Sequence, residues 1–439
     1  MVETEPKPEP KPETEPAEES AEEPAEEPTT PESEVADERP PATEDLLTPP
    51  GFRAVAFSGD DLATDITCLT HDANGHVVVA GPGFVKRLLD TDGDGVADEA
   101  QRFADGPKDG AQGLYFLGND LMAVGDGGLL RYQDADGDGV WDGLGKVDRE
   151  GRPARPQRFL KLPTGSEHDA HAVTRGPDGW WYLIAGNYAE IGADYVTRTT
   201  SPLPKSGPLA PRGGVLMRLA PDLTGGELVA HGMRNAYDFA FGADGSVFTY
   251  DSDGEREVTL PWYRPTRVLA LVPGSHAGWL SRSVKRPFDA PSMPPVVCEL
   301  GRGSPTGVVC YRHAAFPEEL RNSVIVADWT FGRVLALPLE QDGAGYDAEP
   351  VSLMTSSGRA GFAPTAMSVG PDGDLFVSVG GRGTRGGVYR LTYEGADGGA
   401  HGAGRSGSRW WTNSAPDRCG RRRWIRPGRP PSGCGRSRF

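Results

Sequence analysis

One pattern recurs six times between Phe52 and Tyr393 and constrains the fold more than any other feature of the sequence. Each copy has a short polar turn, an alternating strand, a glycine and a second strand that ends in a base or an aspartate. The copies occupy residues 72–90, 117–134, 176–187 with 213–222, 242–253 with 266–274, 320–339 and 370–393. Repeats that cannot bury their own apolar faces must stack, and multi-stranded units that stack radially form a propeller. The sequence therefore predicts an all-β fold, a six-bladed β-propeller, over residues 46–394.

The ends of the repeat array indicate how the ring closes. A propeller removes its free sheet edges when its first and last strands pair. We therefore expect strands from residues 52–70 and 385–393 to share a closing blade. The 60 Gly and 40 Pro residues, against seven Met, agree with short strands and many turns.

Both termini differ in composition from the repeat array. Residues 1–45 hold 17 acids, 3 bases and no aromatic residue, so we predict a disordered Glu/Pro-rich tether. Residues 395–439 are rich in Arg and Gly without periodicity, so we predict a disordered tail; a shifted reading frame would also produce such a segment. The residues between them carry a net charge of −12, which argues against nucleic acid as a partner.

Several common sequence signals do not occur in this chain. There is no run of eighteen apolar residues, so we expect no membrane span, and no signal peptide is visible at the N-terminus. No Cys-x-x-Cys-His motif is present, so we expect no haem site. Cys298 and Cys310 could pair across neighbouring strands, or they could be two buried small apolar residues.

Two similar acidic loops close the first two copies of the repeat. They place carboxylates at relative positions 1, 3, 5 and 9 around a glycine at position 6, a pattern that suits calcium. The predicted ligands are Asp90, Asp92, Asp94 and Asp98 in the first loop, and Asp134, Asp136, Asp138 and Asp142 in the second. Position 12 is not glutamate in either loop, so the alternatives are weak calcium sites and hydrated acidic turns.

The stretch from His231 to Val268 carries the densest set of polar and aromatic side chains. It opens with Arg234 and Asn235, crosses a hairpin whose turn is residues 242–245, and continues into an acidic loop and the irregular segment 260–267. Loops of this kind carry function more often than packing.

Five strings of the chain resemble the six-bladed glucose/sorbosone dehydrogenase propellers. They are RNAYDFAF (234–241), TYDSD (249–253), LPWYRPTR (260–267), GSPTG (303–307) and DWTFG (328–332). The resemblance covers residues 52–393 and is strongest to the membrane-bound dehydrogenase propellers of large bacterial haem-binding multidomain proteins. It implies an oxidoreductase that holds pyrroloquinoline quinone (PQQ) and oxidises a sugar or another alcohol-bearing substrate.

The resemblance also implies roles for single residues. His168, eight residues before the Gly176-Pro-Asp turn, matches the catalytic base, and Arg234 and Asn235 match the pair that faces the quinone. A base that works near neutral pH is most often His, and a quinone that gains negative charge needs a fixed guanidinium. Within the matching 260–267 string, Arg264 and Arg267 are further predicted cofactor-binding residues.

The sequence departs from the sugar dehydrogenases at two points. Ala170 and His171 replace a Gly-Gly pair and are expected to crowd the mouth of the site, and Thr330 lies where one branch has a quinone-binding Lys. The downstream helical repeats and haem domain of the haem-protein relatives are also absent from this sequence. We therefore expect the electron acceptor to be a missing domain or a separate protein. By resemblance, we expect an extracytoplasmic protein, either periplasmic or on the cell surface.

Three alternatives remain open at this point. His168 and His171 could be metal ligands. The propeller could be a non-catalytic module that binds a polysaccharide or a protein, with Trp262, Tyr263 and Trp329 as stacking surface. It could also be a calcium-dependent lactone hydrolase of the gluconolactonase kind, for which Asn235 and Asp251 are the available ligands.

Overall fold

The structure is a computed structural model that describes residues 40–191, 195, 213–287 and 289–395. Most of the predicted tether and tail, and with them Cys419 and Cys434, lie outside the described residues. Residues 40–45, which the sequence assigns to the tether, contact the propeller: Thr43 N donates to Ala54 O at 2.8 Å, and Glu44 forms an ion pair with Arg359. Among the described residues, no helix is long and apolar enough to cross a bilayer.

Two strands, β1 (Leu46–Leu47) and β2 (Phe52–Ser58), precede the first sheet that is built from consecutive strands. Blades 1 to 4 then follow in chain order as antiparallel sheets of four strands. Blade 1 is β3 (Cys68–His71), β4 (Val77–Gly81), β5 (Phe84–Leu89) and β6 (Glu99–Ala104), and blade 2 is β7 (Gly113–Leu117), β8 (Asp120–Gly125), β9 (Gly128–Tyr132) and β10 (Gln157–Lys161). Blade 3 is β11 (Ala170–Arg175), β12 (Trp181–Ala185), β13 (Gly214–Leu219) and β14 (Gly226–Met233), and blade 4 is β15 (Phe239–Phe241), β16 (Val247–Asp251), β17 (Thr266–Leu271) and β18 (Val296–Gly301).

The last two blades complete the ring with strands from the start of the chain. Blade 5 contains β19 (Pro305–Tyr311), β20 (Ser323–Asp328), β21 (Arg333–Leu337) and β24 (Val351–Ser356), with β1 as a fifth strand. A hairpin of β22 (Glu340–Asp342) and β23 (Gly345–Asp347) separates β21 from β24, and 3₁₀ turns lie at Glu255–Glu257 and Glu318–Leu320. Blade 6 contains β25 (Pro364–Val369), β26 (Leu375–Val379) and β27 (Gly387–Tyr393), and β2 is its outer strand.

The six-bladed all-β propeller predicted from the repeats is confirmed, and each of the six sequence copies corresponds to the second and third strands of one blade. The predicted closure is correct for β2, which pairs with β27 from Phe52↔Tyr393 to Ser58↔Val388. It is wrong for residues 68–70, which belong to β3 and begin blade 1. The boundary between the closing blade and blade 1 therefore lies before Cys68, because β3 pairs with β4 and not with a strand of the closing blade.

The core lies between neighbouring blades, and the first strands of the blades contact one another around the central axis. Five of the six second strands are buried along their whole length, as in Val77–Gly81, Trp181–Ala185 and Ser323–Asp328, and in β8 only Asp120 is half-buried. A sheet that packs on both sides needs apolar residues on both faces, so these strands are mostly apolar on both faces and do not show the predicted alternation.

Strand direction sorts the loops onto two faces of the ring. Since the strands of each blade are antiparallel, the loops after second and fourth strands lie on one face, which we call the site face. It includes residues 162–169, 186–191, 234–238, 252–265, 329–332 and 380–386. The loops after first and third strands lie on the opposite face, and these include the acidic loops 90–98 and 134–142.

Four blades repeat one ion pair on the opposite side of the ring from the site face. An Asp in or beside the turn between the first two strands meets an Arg of the third strand, as Asp72–Arg87, Asp120–Arg131, Asp178–Arg218 and Asp374–Arg390. Blade 4 has Ala270 at the arginine position, and its Asp244 accepts hydrogen bonds from Tyr346 and Ser246 instead. The pair fixes each turn on its own sheet.

Candidate functional site

His168 lies in the loop that leads into β11 and is buried. Its Nδ1 donates to Asn187 Oδ1 at 2.6 Å, and its ring stacks on Tyr188 with centroids 4.5 Å apart and planes at 24°. An amide oxygen only accepts, so Nδ1 carries the proton and a neutral imidazole has its lone pair on Nε2. Asn187 thus sets the tautomer that a general base requires.

Arg234 and Asn235 form the turn between β14 and β15. Their backbone N–H groups both donate to Asp251, Arg234 at 3.2 Å and Asn235 at 2.9 Å. The Arg234 guanidinium donates from Nη1 to Ser252 Oγ at 2.9 Å. The Asn235 Oδ1 atom is buried and has no hydrogen-bond partner. The last residue of β16 therefore fixes a turn that presents one guanidinium and one unsatisfied amide oxygen.

Gly186 brings the two groups of residues together. Asn187 N donates to Arg234 O at 2.8 Å, which ties the His168 contact to the Arg234 turn. A Cβ at position 186 would lie 2.5 Å from Asn235 Oδ1 and 2.6 Å from His168 O, so only glycine fits there. The structure thus places His168, Arg234 and Asn235 side by side on the site face.

Asp251 is the electrostatic centre of this arrangement. Burial raises its pKa to about 6, while Arg267 and the N–H groups of Asn235 and Arg234 oppose the rise. A carboxylate that accepts two N–H groups in this way orients the turn that carries Arg234, and it does not itself reach solvent.

Arg264 and Arg267 do not lie on the surface that Arg234 occupies. Arg267 has 0 % exposure, donates from Nη2 to Ala277 O at 3.3 Å and lies 3.9 Å from Asp253. Arg264 is buried and donates to Arg286 O. Residues 272–287 cover both side chains, because this part of the connection between β17 and β18 runs beside β14 and places Lys285 on Asp253. Direct cofactor binding by Arg264 and Arg267 stays a prediction, and in this structure their polar contacts are internal.

Two expectations about the mouth of the site have different outcomes. His171 does not crowd the mouth: it is fully buried, donates from Nδ1 to Ala236 O at 3.2 Å and packs on the Tyr237 ring. Burial lowers its pKa to about 4. Thr330 does lie on the site face, where its hydroxyl donates to Ser304 Oγ at 2.8 Å.

Asp238 is the last residue of the loop that begins with Arg234, and its carboxylate lies between the first strands of blades 4 and 5. Its carboxylate accepts Phe239 N at 2.8 Å and Val308 N at 2.9 Å. Burial raises the pKa of Asp238 to about 7, and the backbone N–H donors offset only part of that effect.

An ion pair crosses the site face. Arg382, from the loop after β26, lies 2.8 Å from Glu167, in the loop before β11, and its guanidinium lies 4.9 Å from the centre of the Trp329 ring. Blades 6 and 3 are opposite each other in a ring of six, so this pair spans the face. Tyr188 and Phe331 are exposed on the same face, whereas Trp329 is held by a bond from Nε1 to Gly380 O.

The acidic loops lie on the face opposite His168. Three carboxylates of each loop come close enough to share an ion: Asp90, Asp92 and Asp98 in one, and Asp134, Asp136 and Asp138 in the other. Asp94 and Asp142 are outside these groups and accept backbone N–H bonds from Val96 and Ala135. Arg87 lies 4.0 Å from Asp134, so the second group already faces a cation.

The sequence analysis did not identify Asn187, and it did not predict that Asp251 holds the Arg234 turn. Asn187 lies two residues after the buried second strand β12, and Asp251 is the last residue of the buried second strand β16. At such positions a polar side chain meets the loops of a propeller face. That position is the signal that could have found them.

A family model described as "Domain of unknown function (DUF7133)" matches residues 41–378. No curated protein matches the sequence. Among solved structures, the PQQ-bound aldose sugar dehydrogenase of Streptomyces coelicolor is 16 % identical, with 79 % of this chain and 100 % of that chain covered and a TM-score of 0.50. The holo pyranose dehydrogenase PQQ domain of Coprinopsis cinerea is 13 % identical, with 80 % and 98 % covered and a TM-score of 0.55. The calcium structure of a Trichoderma reesei carbohydrate-active enzyme of family AA12 is 12 % identical, with 81 % and 97 % covered and a TM-score of 0.55. At these identities the likeness establishes the fold.

Proposed function

Because the chain belongs to the family described as a domain of unknown function (DUF7133) and has the propeller fold of sugar dehydrogenases, we propose that it is a quinoprotein-type dehydrogenase that oxidises a sugar or another alcohol-bearing substrate. The observation that carries the proposal is the fixed arrangement of His168, Arg234 and Asn235 beside one another, with His168 held in the tautomer of a base.

The chain supplies a base and a fixed cation. His168 Nε2 would accept the proton of the substrate hydroxyl, and the Asn187 bond at Nδ1 would stabilise the imidazolium that forms. PQQ, when bound, would accept the hydride from the carbon that carries this hydroxyl. Arg234, held on Asp251 and Ser252, would stabilise the negative charge that such a transfer creates.

The polar groups of the site fit one end of an anionic quinone. A half-buried guanidinium can make paired bonds to a carboxylate. The buried Asn235 Oδ1 has no partner in the protein and, because an amide oxygen only accepts, it would take a hydrogen from an N–H or O–H group of the ligand. Thr330 offers a hydroxyl where a second cation would strengthen the site, so we expect weaker cofactor binding than a lysine there would give.

Calcium has a structural role in this proposal. The acidic loops lie on the face opposite His168, so an ion there would stabilise the first two blades without touching substrate. The AA12 structure with calcium shows only that a protein of the same fold has been seen with this ion.

The partners follow from the same proposal. Electrons would leave to a domain that is not in this sequence or to a separate protein, and the substrate would be a small sugar or the end of a polysaccharide. An extracytoplasmic location, in the periplasm or on the cell surface, is part of the proposal because the resemblance to haem-binding dehydrogenases supports it.

The test is reconstitution of the full chain with PQQ and calcium, followed by dye reduction on a panel of sugars and alcohols. His168→Gln should abolish turnover with an unchanged melting temperature, whereas His313→Gln, an exposed histidine on the opposite face, should not affect it. A well-folded protein that shows no cofactor-dependent turnover on any substrate would overturn the proposal.

A second candidate is a non-catalytic propeller that binds a carbohydrate. The exposed aromatic side chains of Tyr188, Trp262 and Phe331, which come from three neighbouring blades on the site face, favour it. Glycan binding that persists in His168→Gln, together with no turnover, would decide for this function. Lactone hydrolysis has no such support, because Asp251 uses its carboxylate to hold the Arg234 turn.

A further inference from the structure

A groove of about 350 Å³ opens beside the candidate site, between residues 261–264 and residues 283–287. The first wall is part of the site-face loop that begins at Ser252, which binds Arg234. The second wall is the top of the connection between β17 and β18. This connection is anchored to β14 where Ala277 N donates to His231 O at 2.7 Å and Trp279 N donates to Gly232 O at 2.8 Å. The groove is thus continuous with the site face.

The groove lies in a basic part of an acidic protein. Residues 252–287 contain six Lys or Arg residues and three acids, whereas residues 46–394 as a whole carry −12. Asp253 and Glu257 are buried together with Arg264, Arg267 and the Lys285 side chain, and ion pairs join Asp253 to Arg267 and Lys285. Arg256 and Arg282 are exposed, and Arg286 is half-buried. Among the residues that line the groove, the half-buried Arg286 is therefore the cation that offers positive charge to solvent.

The walls are fixed before any ligand binds. Arg264 donates to Arg286 O and so joins one wall to the other. Lys285 contacts Asp253 and lies 3.8 Å from Glu257, which holds the second wall on the first. Arg286 is anchored by a bond from Nη1 to Ser292 Oγ at 2.7 Å and remains half-exposed in the groove. Fixed walls reduce the entropy that binding would otherwise cost.

The groove also carries an aromatic platform. Trp262 is 39 % exposed and Tyr263 is half-exposed, and both line the groove. An exposed indole with an apolar face and a neighbouring guanidinium suits a ligand that has both a C–H-rich ring face and a negative charge. A pyranose ring with an acidic substituent has this combination.

We propose that this groove binds an anionic sugar, a uronate or a sulfated pyranose, with its ring on Trp262 and its acidic group at Arg286. This subsite goes beyond the proposed redox function and binds whether or not a cofactor is present. Where the dehydrogenase proposal also holds, the groove selects acidic polysaccharides whose terminal sugar reaches His168.

The test measures binding of the cofactor-free full chain by affinity electrophoresis and calorimetry. The probes are polygalacturonate, dextran sulfate, neutral dextran and polyglutamate. Binding to polygalacturonate or dextran sulfate, with at least tenfold weaker binding to neutral dextran and polyglutamate, supports the proposal, and the comparison of the first two probes shows which acid is preferred. Raising the salt from 50 to 300 mM should weaken the interaction, since it depends on exposed charge.

Substitutions locate the interaction in the groove. Trp262→Ala and Arg286→Gln should each weaken binding about tenfold, which is about 1.4 kcal/mol. The matched controls are Leu117→Ala, an exposed apolar residue on the opposite face, and Arg152→Gln, an exposed arginine on the opposite face. Equal binding to neutral dextran or to polyglutamate, unaltered binding in both groove variants, or equal loss in the controls would overturn the proposal. Melting curves of each variant, and calorimetry on Arg286→Lys, separate loss of the ligand contact from loss of the fold.

Discussion

Arg87→Met should destabilise the protein more than the same change in any other of the repeated Asp–Arg pairs. The Arg87 guanidinium lies 2.8 Å from Asp72 through Nε and 4.0 Å from Asp134 through Nη2, and it also lies over the Phe103 ring. Its side chain is 8 % exposed, against 35 % for Arg131, 27 % for Arg218 and 30 % for Arg390. Methionine keeps the apolar stem but leaves two buried carboxylates without a cation.

The burial decides the magnitude. Removing one partner of a buried ion pair costs about 3 to 5 kcal/mol, because the other charge stays buried and uncompensated. Exposed or half-exposed pairs contribute about 0 to 1 kcal/mol, so Arg131→Met should lie in that range. Arg218→Met should exceed it, because Arg218 also pairs at 2.6 Å with Glu227, whose side chain is only 1 % exposed. Arg390→Met should fall between the two ranges, because its partner Asp374 is only 8 % exposed.

The pH dependence gives an independent check. Burial already raises the pKa of Asp134, and Arg87 offsets part of that rise. In Arg87→Met the pKa of Asp134 should rise further. The loss of stability should therefore be complete at pH 7 and should shrink as the pH falls through the raised pKa of Asp134, because the carboxyl then becomes neutral.

Urea unfolding of the full chain at pH 7 and at pH 4.5 measures both effects, with Arg152→Met as the control for an exposed arginine. A loss below about 1 kcal/mol at pH 7, or an equal loss at both pH values, would show that Arg87 does not compensate buried charge.

Asn187→Ala should lower PQQ-dependent turnover about tenfold to a hundredfold with little change in melting temperature, while Asn187→Asp keeps the acceptor for His168 and should retain most of it. Equal rates in both variants would show that the bond to Nδ1 does not matter. Arg234→Lys keeps the charge but loses the planar fork, so ligand affinity or turnover should fall about tenfold while stability changes by less than about 1 kcal/mol; a less stable variant with normal affinity would place Arg234 in the scaffold. Calcium at ten times its dissociation constant should add about 1.4 kcal/mol per site, and Asp92→Ala together with Asp136→Ala should abolish the rise in melting temperature; identical curves in calcium and chelator would contradict this. Because the pKa of Asp238 is raised to about 7, its contribution to stability is complete below about pH 4 and is lost as the pH rises through 7. In Asp238→Asn the urea midpoint should therefore depend less on pH between pH 5 and 8 than it does in the wild type. A variant with the pH dependence of the wild type would refute that assignment.

The sequence by itself determined the architecture. Six copies of a turn, two strands and their glycines are local features, and a unit that cannot bury both of its faces has to stack on the next. The hairpin at residues 242–245 is also local, because Asp-Gly turns and strand propensity act over a few residues. Motif order further predicted that His168, Arg234 and Asn235 belong to one site, and the structure places them together.

Only the tertiary structure decided which polar side chains are buried and what they contact. Arg264 and Arg267 lie in a string that looks like an exposed loop, yet residues 272–287 fold back over them. No pattern in the sequence around these two arginines predicts that they are covered. Asn187 meets His168 across 19 residues, and Asp251 meets Arg234 across 17. The cation that faces the second acidic loop, Arg87, comes from the preceding blade. Periodicity reports which face of a strand is apolar, but the partner of a buried charge depends on how blades and loops pack, and that information is not local.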